Sequence, residues 1–429
     1  MHHHENHTTI HVYNVVKDDS MKEQKHVKIA MVGAGFAANI HAENYEQLPG
    51  IDAEIVAIAV APQDLPQARE FCDTYHLDPA NIYDDAGKMI SEIDADIVDL
   101  VVPTFLHVPF AIKAAEAGKN IICEKPLTGY FGDPNIPIDD RMNVGTTDKK
   151  IMLQECLKDC QRLKIAIDNN GVTFCYAENW VYARPVWKAK NLLKSAKGKI
   201  LEIRCGESHS GSHSPFAAEW RFTGGGALIR MGAHPYGATI HLKMWEGLQR
   251  DGKPIYPESV VATTARYRDF LDQLPREQDR VKSRPIDVED WSTSIITFED
   301  GTNATVIASD TTLGGIENWI NIYASNCRIE GKISNNDSVM AYAPTDQEFA
   351  NEYTIEKTET KCGWTPAQPS EDWMTGYPFE LEDFVNAVVE KRQPESNLDL
   401  AIWSTKTMYA AYLSAQEGKR IYIPKEYEI

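Results

Sequence analysis

The sequence lacks the features that mark several specialised classes of protein. No apolar run approaches the ~18 residues of a membrane span, and charges at Lys17, Asp18 and Asp19 precede any adequate signal-peptide core. The eight cysteines are scattered, without a Cys-x-x-Cys pair, which predicts reduced thiols in a cytoplasmic protein rather than a disulfide framework. Internal repeats and low-complexity tracts are also missing.

Positive charge is scarce as well. The 43 Lys and Arg residues stand against 63 Asp and Glu, and the formal net charge of −20 disfavours nucleic acids and anionic membranes as partners. With 429 residues and 43% hydrophobic content, the chain is long enough for two to three well-packed domains. We interpret residues 1–26, which begin with a histidine-rich stretch, as a tail or purification tag, with a metal-binding tract as the alternative.

The first strong pattern is an apolar strand followed by a glycine-rich turn. Residues 27–32 run into Gly33-x-Gly35-x-x-Ala38, and a helical pattern follows. Two glycines allow a tight turn close to a pyrophosphate, and the small third residue lets the helix pack on the strand. Strand–helix units continue onward, so we predict an α/β, doubly wound parallel sheet in a dinucleotide-binding domain over residues 27–171.

A charged pair ends one of the later strands. Ile121 and Ile122 are typical of a buried parallel strand, and Pro126 cannot continue its ladder. Glu124 and Lys125 therefore lie where open α/β sheets bind ligands, beyond the carboxyl ends of the strands. Alone, such a pair is more often a surface ion pair, but the surrounding patterns favour a functional role.

Jointly, these patterns resemble the Gfo/Idh/MocA family of nicotinamide-dependent oxidoreductases. The family's Pro-x-x-x-His, Glu-Ala-Gly-Lys and Glu-Lys-Pro-Leu motifs match residues 103–107, 116–119 and 124–127, and the resemblance covers roughly residues 26–424. It implies a Rossmann domain followed by an α+β domain with a large open, mainly antiparallel sheet. It also implies a set of cofactor-binding residues: Gly33, Gly35, Phe36, Ala37, Pro103, Thr104, His107, Glu124 and Lys125.

Beyond Val172 the pattern changes to the alternation typical of a half-exposed, largely antiparallel sheet. Asp300-Gly301 indicates a hairpin turn, and amphipathic helices are predicted over residues 377–390 and 398–418. We therefore predict a substrate-binding domain over residues 172–429. Because the family sheet is often used for dimer packing, the resemblance also implies a homo-oligomer.

The family carries its catalytic aspartate and histidine one helical turn apart, after a glycine run. His234 matches the histidine, while Arg230 takes the place of the aspartate. The resemblance implies that His234 accepts a hydroxyl proton and that Lys125 stabilises the developing alkoxide. Arg230 either favours the neutral form of His234, binds an anionic group of the substrate, or points outward in an ion pair.

Further polar and aromatic residues are candidates for contact with a small polar substrate. They are Asn179, Trp180, His209, His213 and Arg230. The alternation of residues 203–209 places Glu207 and His209 on one face of a strand that leads into a small, polar turn. The histidines, together with Glu178 or Glu207, match no standard ligand spacing, so we predict no metal.

Two other segments bear on the cofactor and on access to the site. Residues 60–63, which end the second strand, contain neither the usual acidic residue for the adenosine ribose nor a cation for a 2′-phosphate, and Asp64 comes late. We therefore favour NAD, with NADP as the alternative. Residues 129–149 form a loop that the simpler family pattern lacks, and we predict a lid or an oligomer contact, with disorder as the alternative.

The combined patterns predict an oxidoreductase that transfers hydride between NAD and a secondary hydroxyl of a sugar, glycoside or cyclitol. One alternative is an NAD-dependent glycosidase that oxidises its substrate transiently, without net redox change. Another is a non-catalytic nucleotide-binding regulator, which Arg230 in the aspartate position would favour. The retention of Lys125 and His234 argues against the regulator.

Overall fold

The computed structural model describes residues 25–212, 214–334 and 337–427. The strands are β1 Lys25–Val32, β2 Ile51–Ala59, β3 Ile82–Tyr83, β4 Ile97–Leu100, β5 Asn120–Glu124, β6 Phe174–Ala177, β7 Ile200–Ser208, β8 Pro257–Ala265, β9 Trp291–Phe298, β10 Asn303–Ser309, β11 Glu317–Ala324, β12 Arg328–Ser334, β13 Met340–Ala343, β14 Gly363–Pro366 and β15 Ile421–Tyr422. The helices are α1 Phe36–Tyr45, α2 Leu65–Thr74, α3 Ala86–Glu92, α4 His107–Glu116, α5 Lys149–Asn170, α6 Arg184–Ala196, α7 Trp220–Thr223, α8 Ala227–Arg230, α9 Ala233–Asp251, α10 Arg268–Leu271, α11 Glu371–Thr375, α12 Tyr377–Glu390 and α13 Leu398–Glu417.

Within the described residues, the first sheet has six parallel strands in the order β3-β2-β1-β4-β5-β6. This order reverses direction between β1 and β4, which opens a crevice at the carboxyl ends of those strands. The central strands are buried on both faces, as their continuous apolar runs predict. The predicted doubly wound parallel sheet is confirmed. Its sixth strand lies beyond residue 171, so the sheet extends past the predicted domain boundary.

The second sheet has seven strands in the described part of the chain, in the order β12-β11-β7-β10-β9-β8-β15. Its strand pairs are antiparallel except β7 and β10, which run parallel. The predicted large, mainly antiparallel sheet is thus confirmed, with one parallel pair that makes it mixed. Helices α9 and α13 pack on its inner face, and a turn with Gly301 at φ +81° joins β9 to β10 as predicted.

Helix packing joins the two halves of the chain. Helix α12 packs on α1, and α13 packs on α5, so elements of the C-terminal half lie against helices of the parallel sheet. Helix α1 begins at Phe36, directly after Gly35. The backbone N–H groups of its first turn therefore lie directly beside the glycine-rich turn.

The loop over residues 129–149 lies against the C-terminal half of the chain. Apart from two short 3-10 turns, Ile138–Asp140 and Val144–Thr146, it is irregular. The backbone N–H of Gly145 donates to Oδ2 of Asp287 at 2.9 Å, and Arg221 donates to the carbonyl of Ile138 at 3.1 Å. These hydrogen bonds tie the loop to residues of the C-terminal half, and its role as a lid or an oligomer contact stays a prediction.

Two expectations about the whole chain can be compared with the structure. Across the described ranges, the structure contains no helix with both the length and the apolar character needed to cross a bilayer. All eight cysteines are free, and six of them are buried. Cys156 and Cys160 lie on the buried face of α5, where they pack as small apolar side chains.

Candidate active site

The glycine-rich turn between β1 and α1 has the shape of an anion site. Gly33 has φ +112°, and a Cβ there would lie 2.4 Å from the carbonyl oxygen of Val101, so only glycine fits. Among the described residues, nothing lies within 4 Å of a Cβ built on Gly35, and no side chain caps α1. Phe36 is 72% exposed. The uncapped N–H groups of Phe36 and Ala37 therefore face open space, which fits a pyrophosphate at a helix N-terminus.

The ends of β4 and β5 form the next part of the crevice. Pro103 and Thr104 line a cleft beside Lys125. His107 is buried, with Nδ1 2.9 Å from the carbonyl oxygen of Pro126 and Nε2 2.8 Å from that of Val102. Burial lowers the pKa of His107. Because both ring nitrogens contact backbone carbonyls, His107 holds these two loops together and has no ring nitrogen left for a cofactor.

Glu124 points away from the crevice into a buried cluster. Its Oε2 accepts a hydrogen bond from the backbone N–H of Lys125 at 3.0 Å, and its Oε1 lies 3.4 Å from Nε2 of His41. Nδ1 of His41 lies 2.8 Å from Oδ2 of Asp99, and both side chains are fully buried. Burial opposes charge on His41, but Asp99 and Glu124 outweigh it and hold the His41 pKa well above its ordinary value. Glu124 therefore anchors the backbone of Lys125.

Lys125 projects into the crevice at the junction of two clefts. Its Nζ donates to the backbone carbonyl of Arg230 at 3.3 Å. The first cleft, of about 390 Å³, also contains Arg230 and is called the Arg230 cleft. The second, of about 410 Å³, contains His234 and is called the His234 cleft. Lys125, Glu207 and Lys357 line both clefts, so these three side chains form the boundary between them.

His234, the second residue of α9, lies between two carboxylates. Its Nδ1 is 2.7 Å from Oε1 of Glu178, its Nε2 is 4.0 Å from Oε2 of Glu207, and its ring stacks on Trp180 with centroids 5.6 Å apart. Because a carboxylate only accepts, the Nδ1 proton belongs to the bond with Glu178, and the lone pair of a neutral ring is on Nε2. Nε2 therefore has the orientation of a general base at the cleft.

Glu207 lies across the His234 cleft from Nε2 of His234. Burial raises the pKa of its carboxyl, against the opposing effects of His234, Lys125 and Lys357. Within the described residues, Oε2 of Glu207 makes no hydrogen bond. A 4.0 Å separation from Nε2 of His234 leaves room for one hydroxyl oxygen at hydrogen-bond distance, ~2.8 Å, from both groups. The pair is therefore arranged to bind a hydroxyl between a base and a carboxyl.

Arg230 and His234 do not lie on one helix, and that prediction is wrong. Helix α8 ends at Arg230, and α9 begins at Ala233 after a short turn. A Cβ on Gly232 would lie 2.0 Å from a backbone carbonyl of α8, so the turn requires glycine at this position. As a result, Arg230 lines one cleft and His234 lines the other.

Arg230 forms the ion pair that was one of its three alternatives, but the pair is buried and does not point outward. Its guanidinium pairs with Oδ2 of Asp310, and the two side chains are 14% and 1% exposed. Burial lowers the pKa of Arg230, and Glu289 opposes that change. The Arg230–Asp310 pair is therefore an internal feature of the cleft wall.

The glycine run before α8 lets another carboxylate approach the backbone. A Cβ on Gly226 would lie 1.9 Å from the carbonyl oxygen of Glu289. The Glu289 carboxylate accepts hydrogen bonds from the backbone N–H groups of Gly226 and Leu228, at 3.2 and 2.9 Å, and from the Tyr412 hydroxyl at 2.8 Å. Glu289 thus caps α8 and fixes the segment that leads to Arg230.

Lys357 comes from a segment in which sequence analysis named no candidate. Its Nζ lies 2.9 Å from Nε2 of His209, whose Nδ1 accepts the backbone N–H of Gly211 at 3.0 Å. A neutral His209 therefore has its proton on Nε2, the ring nitrogen that faces the Lys357 amine. Burial lowers the pKa of Lys357, against the opposing effects of Glu356 and Glu207.

The remaining predicted contacts differ in what they face. Trp180 lines the His234 cleft, and Asn179 does so while its amide donates to the carbonyl of Thr375 at 2.9 Å. His209 lines the Arg230 cleft. His213 lies outside the described residues. Among the residues that are described, no three His, Cys, Asp or Glu side chains are grouped so as to hold a metal ion.

Sequence reasoning missed several residues of the site or weighed them only as metal ligands. They are Glu178, Glu207, Glu289, Asp310 and Lys357. Glu178 directly follows β6, and its position at the carboxyl end of a parallel strand was a usable signal. For Lys357 the local sequence contains no such signal.

Two family models match the chain. The model of an oxidoreductase family with an NAD-binding Rossmann fold matches residues 27–133, and the GFO/IDH/MocA C-terminal domain model matches residues 186–330. Together they cover more than half of the chain. The NAD-binding description of the first model confirms the predicted cofactor.

Individual relatives are more distant. The levoglucosan dehydrogenase of Pseudarthrobacter phenanthrenivorans is 26% identical over 220 residues, 49% of this chain and 49% of its own. The D-glucoside 3-dehydrogenase of Escherichia coli is 33% identical over 101 residues, 23% of this chain and 27% of its own. The chain thus spans about half the length, or less, of these curated relatives. GenD2 from gentamicin A biosynthesis, solved in complex with NAD, shares the fold with TM-score 0.72 and 21% identity, over 94% of this chain and 97% of its own.

Proposed function

Because the chain belongs to the GFO/IDH/MocA family of oxidoreductases, we propose that it transfers hydride between NAD and a secondary hydroxyl of a sugar, glycoside or cyclitol. The observation that carries this proposal is the geometry around His234, whose Nε2 faces the cleft that Lys125 also lines. The names of the levoglucosan and D-glucoside dehydrogenases support a carbohydrate substrate.

The residues of the crevice fit the cofactor. When bound, NAD supplies the hydride acceptor. The glycine turn at Gly33 and Gly35, together with the start of α1, would hold its pyrophosphate. Pro103 and Thr104 would contact it in the cleft that also contains Lys125.

The protein's side chains accept the hydroxyl proton and stabilise the negative charge on the substrate oxygen. Nε2 of His234 takes the hydroxyl proton, and the Glu178 carboxylate stabilises the imidazolium that results. The ammonium of Lys125 stabilises negative charge on the substrate oxygen. Glu178 thereby supplies the orienting carboxylate that position 230 lacks.

The substitution Lys125→Met tests the placement of the site. Loss of the ammonium is expected to lower kcat/KM by ~10²–10³-fold and to leave NAD affinity nearly unchanged. Lys119→Met is the matched control, because Lys119 precedes the amino end of the same strand, where its Nζ donates to the carbonyl of Ala95. Wild-type turnover by Lys125→Met would place the chemistry elsewhere.

Isotope transfer tests the reaction itself. A glycoside deuterated at the reacting carbon is expected to deliver its label to the nicotinamide during turnover. Retention of the label on the sugar would exclude direct hydride transfer. Return of the label to the sugar, together with release of the aglycone, would instead identify the transient-oxidation glycosidase.

We also propose a homo-oligomer formed through the outer face of the seven-stranded sheet. Val261 and Ile295 are direct cross-strand partners on β8 and β9, and they are 38% and 49% exposed. Paired apolar side chains on an open sheet favour burial by a second copy. Light scattering of Ile295→Lys should then give a smaller mass than the wild-type protein, and equal masses would contradict the proposal.

A further inference from the structure

The His234 cleft adjoins a second cleft that the proposed proton chemistry does not use. This outer cleft has a volume of about 500 Å³ and shares the lining residues Tyr353, Glu371 and Asp372 with the His234 cleft. The three shared residues place the two clefts side by side. A ligand whose reacting ring lies beside His234 can therefore extend into the outer cleft.

The outer cleft lies away from the cofactor crevice. Its wall includes Asn44 and Gln47, at and beyond the end of α1, whereas the glycine turn lies at the start of that helix. Ten residues of α-helix separate the two ends by ~15 Å. The outer cleft is therefore placed for the substrate, not for the pyrophosphate.

The wall combines aromatic surface with hydrogen-bonding groups. Tyr353 and Trp373 line it while remaining 58% and 47% exposed, and Phe379 lies beside them. Gln47, Glu371 and further carboxyl and amide groups line it as well, together with Leu48 and two prolines. A sugar ring has apolar C–H faces and polar hydroxyl edges, which match flat aromatic rings and carboxyl or amide acceptors respectively.

The aromatic groups are held in place before any ligand binds. The Trp373 and Phe379 rings pack edge to face at 5.9 Å, and the Arg184 guanidinium lies 4.0 Å from the Phe379 ring and 5.3 Å from the Trp373 ring. Tyr353 donates a hydrogen bond to Glu371. A preorganised wall of this kind loses little conformational entropy on binding.

The charged residues that line the outer cleft indicate which kind of ligand it can bind. Glu371, Asp372 and Glu382 line the outer cleft, and among the described residues no Lys or Arg does so. A ring that carries a carboxylate would meet like charge here, which favours a neutral sugar ring.

We propose that the outer cleft is a subsite for the second, neutral sugar ring of a disaccharide-like glycoside whose first ring is oxidised beside His234. This inference rests on the proposed function and adds the size and charge of the substrate. Much of the subsite wall, from Tyr353 to Glu382, follows the end of the family match at residue 330. The segment after residue 330 thus supplies most of the wall against which the second ring would lie.

The test compares one-ring and two-ring probes. Methyl α- and β-D-glucopyranoside are assayed with NAD against maltose and cellobiose. At least one disaccharide should have a higher kcat/KM than both methyl glucosides. Trp373→Ala should lower kcat/KM for that disaccharide by ~3- to 10-fold, mainly through KM, and change the methyl glucosides by less than twofold. Trp373→Phe should recover most of the loss.

Trp364→Ala is the matched control, because Trp364 belongs to the same segment, is 69% exposed and lies on β14, away from the cleft lining. Gln47→Ala, at an exposed position after α1, tests the opposite wall without removing a large side chain. Circular dichroism and the Tm of each variant establish that it is folded. A loss in Gln47→Ala that is confined to the disaccharide supports the subsite even if Trp373→Ala does not fold.

The two proposals fail in different ways. If Trp373→Ala affects one-ring and two-ring probes equally, or if no disaccharide exceeds the methyl glucosides, the subsite is wrong while the dehydrogenase stands. If no probe reduces NAD, the dehydrogenase activity is unsupported for these sugars. Calorimetry of the NAD-bound protein with the same probes then tests the subsite. The subsite proposal requires a higher affinity for a disaccharide than for the methyl glucosides, and equal affinities would contradict it.

Discussion

Two histidines in this protein each lie between two carboxylates, yet their surroundings differ. His41 contacts Asp99 at 2.8 Å and Glu124 at 3.4 Å, and its side chain is completely buried. His234 contacts Glu178 at 2.7 Å, but its second carboxylate, Glu207, is 4.0 Å away across an open cleft. The first cluster is closed on itself, whereas the second leaves a gap on the side of Nε2.

The difference separates the structural role of His41 from the catalytic role that we propose for His234. In the closed cluster both ring nitrogens face carboxylates, so the stable form of His41 is charged, and the cluster anchors Lys125 through Glu124. In the open cluster only Nδ1 is held, so Nε2 stays available for a substrate proton. Two local arrangements of the same residue types therefore serve different ends because one is sealed and the other faces a cleft.

The largest expected effect is on catalysis by the open cluster. His234→Asn should lower kcat/KM by ~10²–10⁴-fold, because the proton acceptor is lost from the cleft. NAD affinity should change little, and the loss of stability should be smaller than for the closed cluster. Steady-state kinetics and a denaturant titration measure the two quantities, and near-wild-type turnover would assign the base to another residue.

In the closed cluster around His41, substitution should lower stability more than activity. His41→Gln should reduce the free energy of unfolding by ~3–5 kcal/mol, because two buried carboxylates lose their cation. Since the pKa of His41 is raised in the folded protein, this stabilisation is complete below the unfolded value of ~6.5 and is lost as pH rises through the folded pKa.

Denaturant titrations across pH therefore check both the size and the direction of the His41 effect. His26→Gln is the matched control, since His26 pairs with Asp52 at 2.9 Å on the exposed surface. A penalty that grows with rising pH, or one no larger than that of the control, would contradict the structural role.

Glu178→Gln sharpens the comparison within the open cluster. The amide oxygen can still accept the Nδ1 proton, so the ring orientation should persist while the charge that stabilises the imidazolium is lost. The expected result is a ~10–100-fold fall in kcat with little change in KM. Glu178→Ala removes orientation as well and should be worse. An unchanged kcat in Glu178→Gln would show that the carboxylate charge is not used.

The smallest effect is expected for Glu207→Gln, and its sign is opposite to that of His41→Gln. Burial raises the pKa of Glu207, so the folded state binds this proton more tightly than the unfolded chain does. The folded protein therefore loses stability as pH rises from the unfolded pKa of Glu207 to its folded pKa. The amide should therefore raise the Tm by a few degrees at neutral pH, with no gain below the unfolded value of ~4.3.

Glu202→Gln, on the same strand and paired with Arg204 at 2.7 Å, is the control for Glu207→Gln. Activity should fall in Glu207→Gln while stability rises, as expected where a strained charge is kept for function. A drop in Tm at neutral pH would contradict this assignment.

The parallel sheet and its ligand edge could be predicted because their signals are local. Residues 27–32, the glycine turn and the run before Lys125 each lie within about a dozen consecutive residues, where period, turn chemistry and strand ends act directly. The family motifs added His234 as a catalytic candidate. The break between α8 and α9 escaped prediction because it depends on the contact of residue 232 with the preceding turn.

Only the tertiary structure decided what surrounds these residues. Glu178 reaches His234 across 56 positions of sequence, Asp310 reaches Arg230 across 80, and Lys357 reaches His209 across 148. No local period encodes such pairs, because each depends on how the two sheets and the segment after residue 330 pack together. The sequence alone therefore determined the fold class, the glycine turn and the position of Lys125, whereas packing determined which carboxylate contacts His234 and where the clefts beside it lie.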